Sequence, residues 1–121
     1  MTEVVMFSAE SSTDDESTVV ITLKGELDIE TSDVLRGEVE NAISRGPARL
    51  IFELGGLTFT DSSGIAVMLQ AATSIPEVIA RDPVPIVRTV IEVTGLSETV
   101  VRCVGQGSQS CVTMRPALRR S

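Results

Sequence analysis

Two rhythms of apolar and polar positions divide the chain. Val4, Val5, Met6 and Phe7 form a short apolar run that predicts a first strand, and the polar cluster from Ser11 to Ser17 predicts the turn after it. Thr18 to Leu23 predicts a second strand, and its run Val19, Val20, Ile21 with Leu23 marks it as the more central of the two. The rhythm then lengthens. Val34, Leu35, Val39, Ala42 and Ile43 recur at helical spacing behind Thr31 or Ser32, either of which can cap a helix, and Gly46 with Pro47 closes it.

The same alternation continues. Ala48 to Leu54 predicts a third strand, ending at Gly55 and Gly56. A helix follows from Ser62 or Ser63 to about Thr73, with Ile65, Ala66, Met68, Leu69 and Ala72 as its apolar stripe. Glu77 to Arg81 predicts a short strand, Pro85 to Val93 a helix terminated by Gly95, and Thr99 to Val104 a last strand broken by Gly105 and Gly107. Residues from Ser108 onward, with Pro116 and the bases Arg115, Arg119 and Arg120, read as an irregular tail or a final helix. Strands handing over to helices are the α/β pattern, and the helices starting near Thr31 and Ser62 are expected to share one face of the sheet.

Composition narrows the function. A chain of 121 residues, 42% hydrophobic, suits one compact domain over residues 1–121. It has no histidine, which excludes His-based acid/base catalysis, Ser-His-Asp triads and His-ligated metal sites. With 17 acids against 10 bases and a net charge of -7, it has no global basic field for nucleic acid or anionic lipid, and 2% aromatics leaves few stacking platforms. Acidity is concentrated early: residues 1–61 carry 13 acids and 4 bases, residues 62–121 carry 4 and 6, so an acidic face suited to a basic partner is expected from the first half. No apolar stretch approaches a bilayer span and the first residues lack a secretion pattern, so a cytoplasmic protein is expected, with Cys103 and Cys111 as reduced thiols.

The chemistry concentrates in Leu57 to Ile65, where Thr60, Asp61, Ser62, Ser63 and Gly64 stand between a strand-loop and a helix start. Asp61, Ser62 or Ser63 can satisfy the unpaired N–H groups of the first turn. The same helix terminus favours anions, so a phosphate on Ser62 could be held there without unfolding the domain. Nucleophilic catalysis by Ser62 is a poor rival, since there is no histidine and Lys24 is the one lysine available as a base.

These residues resemble the bacterial STAS-domain anti-sigma factor antagonists. Gly25, Glu26, Leu27 and Asp28 match the family's G-E-L-D at the end of the second strand; Asp61, Ser62, Ser63, Gly64 and Ile65 match its D-S-S-G-[LI]; Thr94, Gly95 and Leu96 match a later S/T-G-L turn. The resemblance implies a mixed sheet of four to five strands with helices on one face. It implies phosphorylation at Ser62, with Asp28, Asp61, Ser63 and Gly64 at the switch and partner-binding site. The implied partner is a serine-kinase anti-sigma factor, which the unphosphorylated form binds to free a sigma factor. ATP then belongs to the kinase, this chain needs no cofactor or metal, and a phosphoserine phosphatase is a further candidate partner.

Two readings compete with that regulator. A STAS-like domain could serve as a constitutive scaffold or sensory subunit without phosphorylation. A small enzyme or nucleotide-binding domain is disfavoured, because Gly55 and Gly56 form no phosphate loop and no Walker lysine follows.

Overall fold

The computed structural model describes residues 7–93 and 111–113. In chain order the elements are β1 (Ser8–Asp15), β2 (Thr18–Leu27), α1 (Ser32–Ser44), β3 (Arg49–Thr60), α2 (Ser62–Ala71), β4 (Glu77–Arg81), α3 (Pro85–Val93) and β5 (Cys111–Thr113). The described strands form one five-stranded mixed sheet in the order β1-β2-β3-β4-β5. β1 is antiparallel to β2, β2, β3 and β4 are mutually parallel neighbours, and β5 closes antiparallel on β4. The chain steps from β2 to β3 to β4 in one direction, so crossovers of one hand carry α1 and α2 onto the same face.

That face holds the core. Val19, Ile21 and Leu23 of β2, Leu50, Phe52 and Leu54 of β3, and Val78 and Ala80 of β4 point inward at every second position. Leu35, Val39 and Ala42 of α1, Ile65, Val67, Met68 and Ala71 of α2, and Val87 and Ile91 of α3 pack onto them, so all three described helices lie on one side as expected. Each fully buried aliphatic or aromatic side chain contributes about 1.5–3 kcal/mol relative to exposure.

The opposite face carries a short apolar row flanked by ion pairs. Val20, Ile51 and Ile79 sit side by side across β2, β3 and β4, with Ile51 buried outside the main core. Two cross-strand ion pairs bracket this row: Arg49 Nε to Glu77 Oε1 at 2.9 Å and Arg81 Nε to Glu53 Oε1 at 2.6 Å. Their aliphatic stems can cover the row while the charged ends stay wet, the ordinary behaviour of long charged side chains.

Several sequence expectations need correction. The polar cluster Ser11 to Asp15 is strand, not turn: β1 runs Ser8–Asp15, and only Glu16 and Ser17 turn, with Ser17 N–H donating to Asp15 Oδ1 at 2.9 Å. An edge strand facing water can be polar, because its ladder to β2 needs backbone groups and little apolar surface. Val4 to Met6 lie outside the described residues, and Phe7 precedes β1, packed against the core.

β3 does not stop at Gly55 and Gly56 but runs on to Thr60. β2 likewise extends to Leu27, and its register against β3 shifts between Thr22 and Lys24 and between Gly25 and Glu26, where Gly25 has φ +98°. Gly56 serves this close approach: a Cβ there would stand 2.9 Å from Lys24 Cγ and 3.3 Å from the Leu23 carbonyl oxygen. The glycines thus mark a crowded bulge within the sheet.

Helix α1 starts where expected, but Val34 is exposed. In α2 the buried stripe includes Val67 while Ala66 is exposed, and the helix ends at Ala71. β4 and α3 occupy the expected spans. Within the segment read as a tail or final helix, Cys111–Thr113 is strand, because it completes the β4 edge. The expected strand Thr99 to Val104, the Thr94 to Leu96 turn, Cys103 and the remainder of the tail lie outside the described residues.

Candidate functional site

Adjacent parallel strands β2 and β3 finish together: Leu27 stands opposite Thr60, and the Asp61 N–H donates to the Leu27 carbonyl at 3.2 Å. Asp28 and Asp61 are therefore the next residues on two neighbouring strands, and α1 and α2 both begin at this end. The carboxyl ends of parallel strands, faced by helix N-termini, are where α/β sheets commonly place function.

Asp61 caps α2. Its backbone is extended (φ -110°, ψ -173°), and its Oδ1 accepts from Ser63 N at 3.0 Å, Gly64 N at 3.3 Å and Ser63 Oγ at 2.7 Å. Of the three residues that could have capped this helix, the aspartate does so. Ser63 is half-buried and tied to the cap, whereas Ser62 is exposed and its hydroxyl makes no hydrogen bond to any described residue. Among the described residues, geometry thus separates the two neighbouring serines into one bound hydroxyl and one without a partner.

Gly64 is buried and contributes by being small. A Cβ on it would come within 2.5 Å of both Leu27 Cδ2 and Thr60 Oγ1. Thr60 is itself buried, donating its hydroxyl to the Asp61 carbonyl at 3.1 Å. The glycine lets the first turn of α2 rest directly on the ends of β2 and β3, which aims Ser62 outward.

Asp28 organises the other strand exit. Its Oδ1 accepts from Glu30 N and Thr31 N, both at 3.0 Å, and lies 3.1 Å from Thr31 Oγ1; its own N–H donates to Thr31 Oγ1 at 2.9 Å. This reciprocal bonding resembles a capping box placed one turn early. Thr31 occupies the N-cap position of α1 but makes no side-chain cap bond there, so the stabilising acceptor is Asp28. The Thr31 backbone N–H first, then its hydroxyl, with a smaller contribution from Glu30 N–H, hold the Asp28 carboxyl below its ordinary pKa, against a small opposing effect of desolvation.

Sequence reasoning missed the apolar part of this end. Ile29 is 68% exposed in the turn between Asp28 and Glu30, Val34 is 51% exposed in the first turn of α1, and Phe59 is 39% exposed opposite Glu26. Exposed Glu26, Glu30 and Asp33 accompany them, with partly buried Asp28 and Asp61. An isolated apolar residue in an otherwise acidic turn, as at Ile29, was the one available signal. Among the described residues no cluster of three or more His, Cys, Asp or Glu could hold a metal ion, and no helix is long and apolar enough to cross a membrane.

The family model for the STAS domain matches residues 10–109. The chain belongs to the STAS domain family. This STAS domain is 37% identical over 84 residues to an anti-sigma F factor antagonist of Lysinibacillus sphaericus, covering 65% of the present chain and 72% of that protein. It is similar to the anti-sigma factor antagonist SpoIIAA in its unphosphorylated form, with 29% identity, a TM-score of 0.64, and coverage of 74% of this chain and 82% of the other. It is also similar to the Bacillus cell fate determinant SpoIIAA in the phosphorylated form, with 28% identity, a TM-score of 0.59, and coverage of 74% and 85%.

Proposed function

We propose that this STAS domain is a non-enzymatic anti-sigma factor antagonist: unphosphorylated, it binds a serine-kinase anti-sigma factor and releases a sigma factor, and phosphorylation of Ser62 switches the binding off. The observation that carries this reading is the exposed Ser62 hydroxyl, bonded to no described residue, beside the bonded hydroxyl of Ser63. Relatives carrying the antagonist name, one of them in both phosphorylated and unphosphorylated forms, support it.

The mechanism follows from charge. In the unphosphorylated state the docking face combines Ile29, Val34 and Phe59 with the carboxylates of Asp28 and Asp61, which suits a partner with apolar and basic ground. The partner supplies ATP. Ser62 Oγ bonds to the γ-phosphorus, the bond from that phosphorus to the β–γ bridging oxygen breaks, ADP leaves, and the hydroxyl proton passes to a base on the kinase. The product adds about 1.5–2 negative charges at pH 7, and the N-terminus of α2 can hold them without rearranging the fold. Beside Asp61 they repel a partner shaped for a neutral hydroxyl and must be desolvated to re-form the interface. A phosphoserine phosphatase would restore the binding form.

The test is phosphate mapping after incubation with the cognate kinase and ATP, paired with titration of Ser62→Ala and Ser62→Asp against that kinase. Phosphate on Ser62, persistent binding by Ser62→Ala and weakened binding by Ser62→Asp are expected. Equal affinities would overturn the switch and favour a constitutive scaffold.

A further inference from the structure

Two hydroxyls stand next to each other at the start of α2 under different constraints. Ser63 Oγ donates to Asp61 Oδ1 at 2.7 Å, and the same oxygen accepts the Ser63 N–H at 3.0 Å, so the side chain is clamped to the residue two places before it. We propose that Asp61 decides which of the two serines is phosphorylated: by taking the Ser63 hydroxyl it leaves Ser62 as the one nucleophile of the pair free to turn outward. This inference rests on the reading of Ser62 as the phosphoacceptor and assigns its selectivity to a named atom.

Capping alone does not require this contact. An asparagine, serine or glycine at the same place also supports a helix start, because the cap needs only an acceptor or an accommodating backbone. The carboxylate adds a charge-assisted hold on a hydroxyl, and such bonds are shorter and stronger than neutral ones. In phosphoryl transfer the attacking serine must present its oxygen to the γ-phosphorus of ATP and surrender its proton to a base on the kinase. The Ser63 proton already points into the cap. Bringing that oxygen out means breaking the bond to Asp61 and leaving a bare carboxylate facing an incoming phosphate. Ser62, exposed and unbonded to any described residue, meets neither obstacle. The difference corresponds to a selectivity of about ten- to a hundredfold, the weight of one hydrogen bond to a charged group.

The test uses the full chain with γ-labelled ATP and an extract of the source cell, the phosphate being mapped by mass spectrometry. Wild type is expected to carry label on Ser62 alone, and Ser62→Ala to lose it. Adding Asp61→Gly, which removes the acceptor, is expected to restore label on Ser63 at least about tenfold over Ser62→Ala alone, and Asp61→Asn, which keeps a neutral amide oxygen as acceptor, is expected to raise it by a smaller factor, about threefold or more. Circular dichroism confirms that each variant is folded, and the asparagine variant carries the test if the glycine one is not. Wild type labelled at Ser62 with no rise on Ser63 in the folded double variants overturns the role of Asp61 and leaves Ser62 standing. Wild type unlabelled at Ser62 overturns both readings.

Discussion

Gly64 lies directly against Leu27, so close that a single added carbon would stand 2.5 Å from Leu27 Cδ2. Leu27 is fully buried at the end of β2, and the equally near Thr60 Oγ1 belongs to a buried residue, so neither neighbour can simply turn into solvent. Gly64→Ala is expected to destabilise the fold by about 1–3 kcal/mol, the usual cost of overpacking a filled core site. Thermal unfolding checks this: a Tm lowered by several degrees is expected, and an unchanged or raised Tm would show that the contact relaxes freely. The same variant should also weaken partner binding, because the first turn of α2 must lift and carry Ser62 with it.

The turn that starts α1 makes a prediction about pH. Hydrogen bonds from Thr31 stabilise the Asp28 carboxylate and lower its pKa in the folded chain. A depressed carboxyl pKa means that the unfolded chain binds the proton more readily, so the stabilising contribution is fully present above the unfolded value and is lost as pH falls through the folded one. Thr31→Val removes the hydroxyl and keeps the shape. It should raise the Asp28 pKa toward the ordinary aspartate value, as read by NMR titration of the side-chain carboxyl, and flatten the acid limb of the stability curve. An unchanged titration would show that the backbone donors alone set the carboxyl.

The exposed apolar side chains at the strand ends that carry Asp28 and Asp61 should matter more to binding than to folding. Ile29 is 68% exposed and lies outside the main core cluster. Ile29→Ser is therefore expected to leave stability within about 0.5 kcal/mol of wild type, as surface substitutions usually do. Against the proposed kinase partner it should lose affinity about tenfold, the effect of truncating an apolar anchor. Phe59→Ser should act in the same direction with a larger loss of stability, since more of its ring is covered. Isothermal titration with paired unfolding curves separates the two effects, and undiminished affinity in both variants would move the interface off this end of the sheet.

The parts of this architecture that were legible in the sequence are those where periodicity and burial coincide. β4 and α3 show their inward positions as plain alternation and helical spacing, and Gly46 with Pro47 marks the end of α1 because those residues seldom continue a helix. β1 was hidden because an edge strand with Ser11, Ser12, Thr13 and Asp14 carries the composition of a turn. Gly55 and Gly56 read as punctuation in the sequence because the purpose of Gly56, close passage of β3 beside Lys24, exists only once the strands are paired. At the site, Asp61 to Gly64 stands out in the sequence as a segment, but which of its side chains caps α2 and which hydroxyl bonds to no described residue depends on how the helix start packs on the strand ends. Val34 shows the remaining limit: helical spacing placed it with Leu35 and Val39, yet it lies where the exposed edge of α1 meets the strand ends. Spacing alone cannot locate the rim of a packed face.

Separating the cap from the proposed phosphoacceptor yields a final prediction. If Ser62 were the capping residue, Ser62→Ala would cost about 0.5–2 kcal/mol, the range for losing an N-cap side chain. The structure assigns that contribution to Asp61, whose Oδ1 accepts from Ser63 N and Gly64 N, while Ser62 occupies the first helical position with its hydroxyl bonded to no described residue. Alanine is also the better helix former there, since serine competes for the backbone with its own hydroxyl. Ser62→Ala is therefore expected to be neutral or slightly stabilising, and Asp61→Ala to cost about 0.5–2 kcal/mol. Urea unfolding at neutral pH measures both, with equal m-values required for the comparison. A larger loss for Ser62→Ala than for Asp61→Ala would transfer the cap to Ser62, and binding defects in Ser62 variants would then have to be corrected for a disturbed helix start. The expected order lets Ser62→Ala report on phosphorylation and binding with the fold held constant.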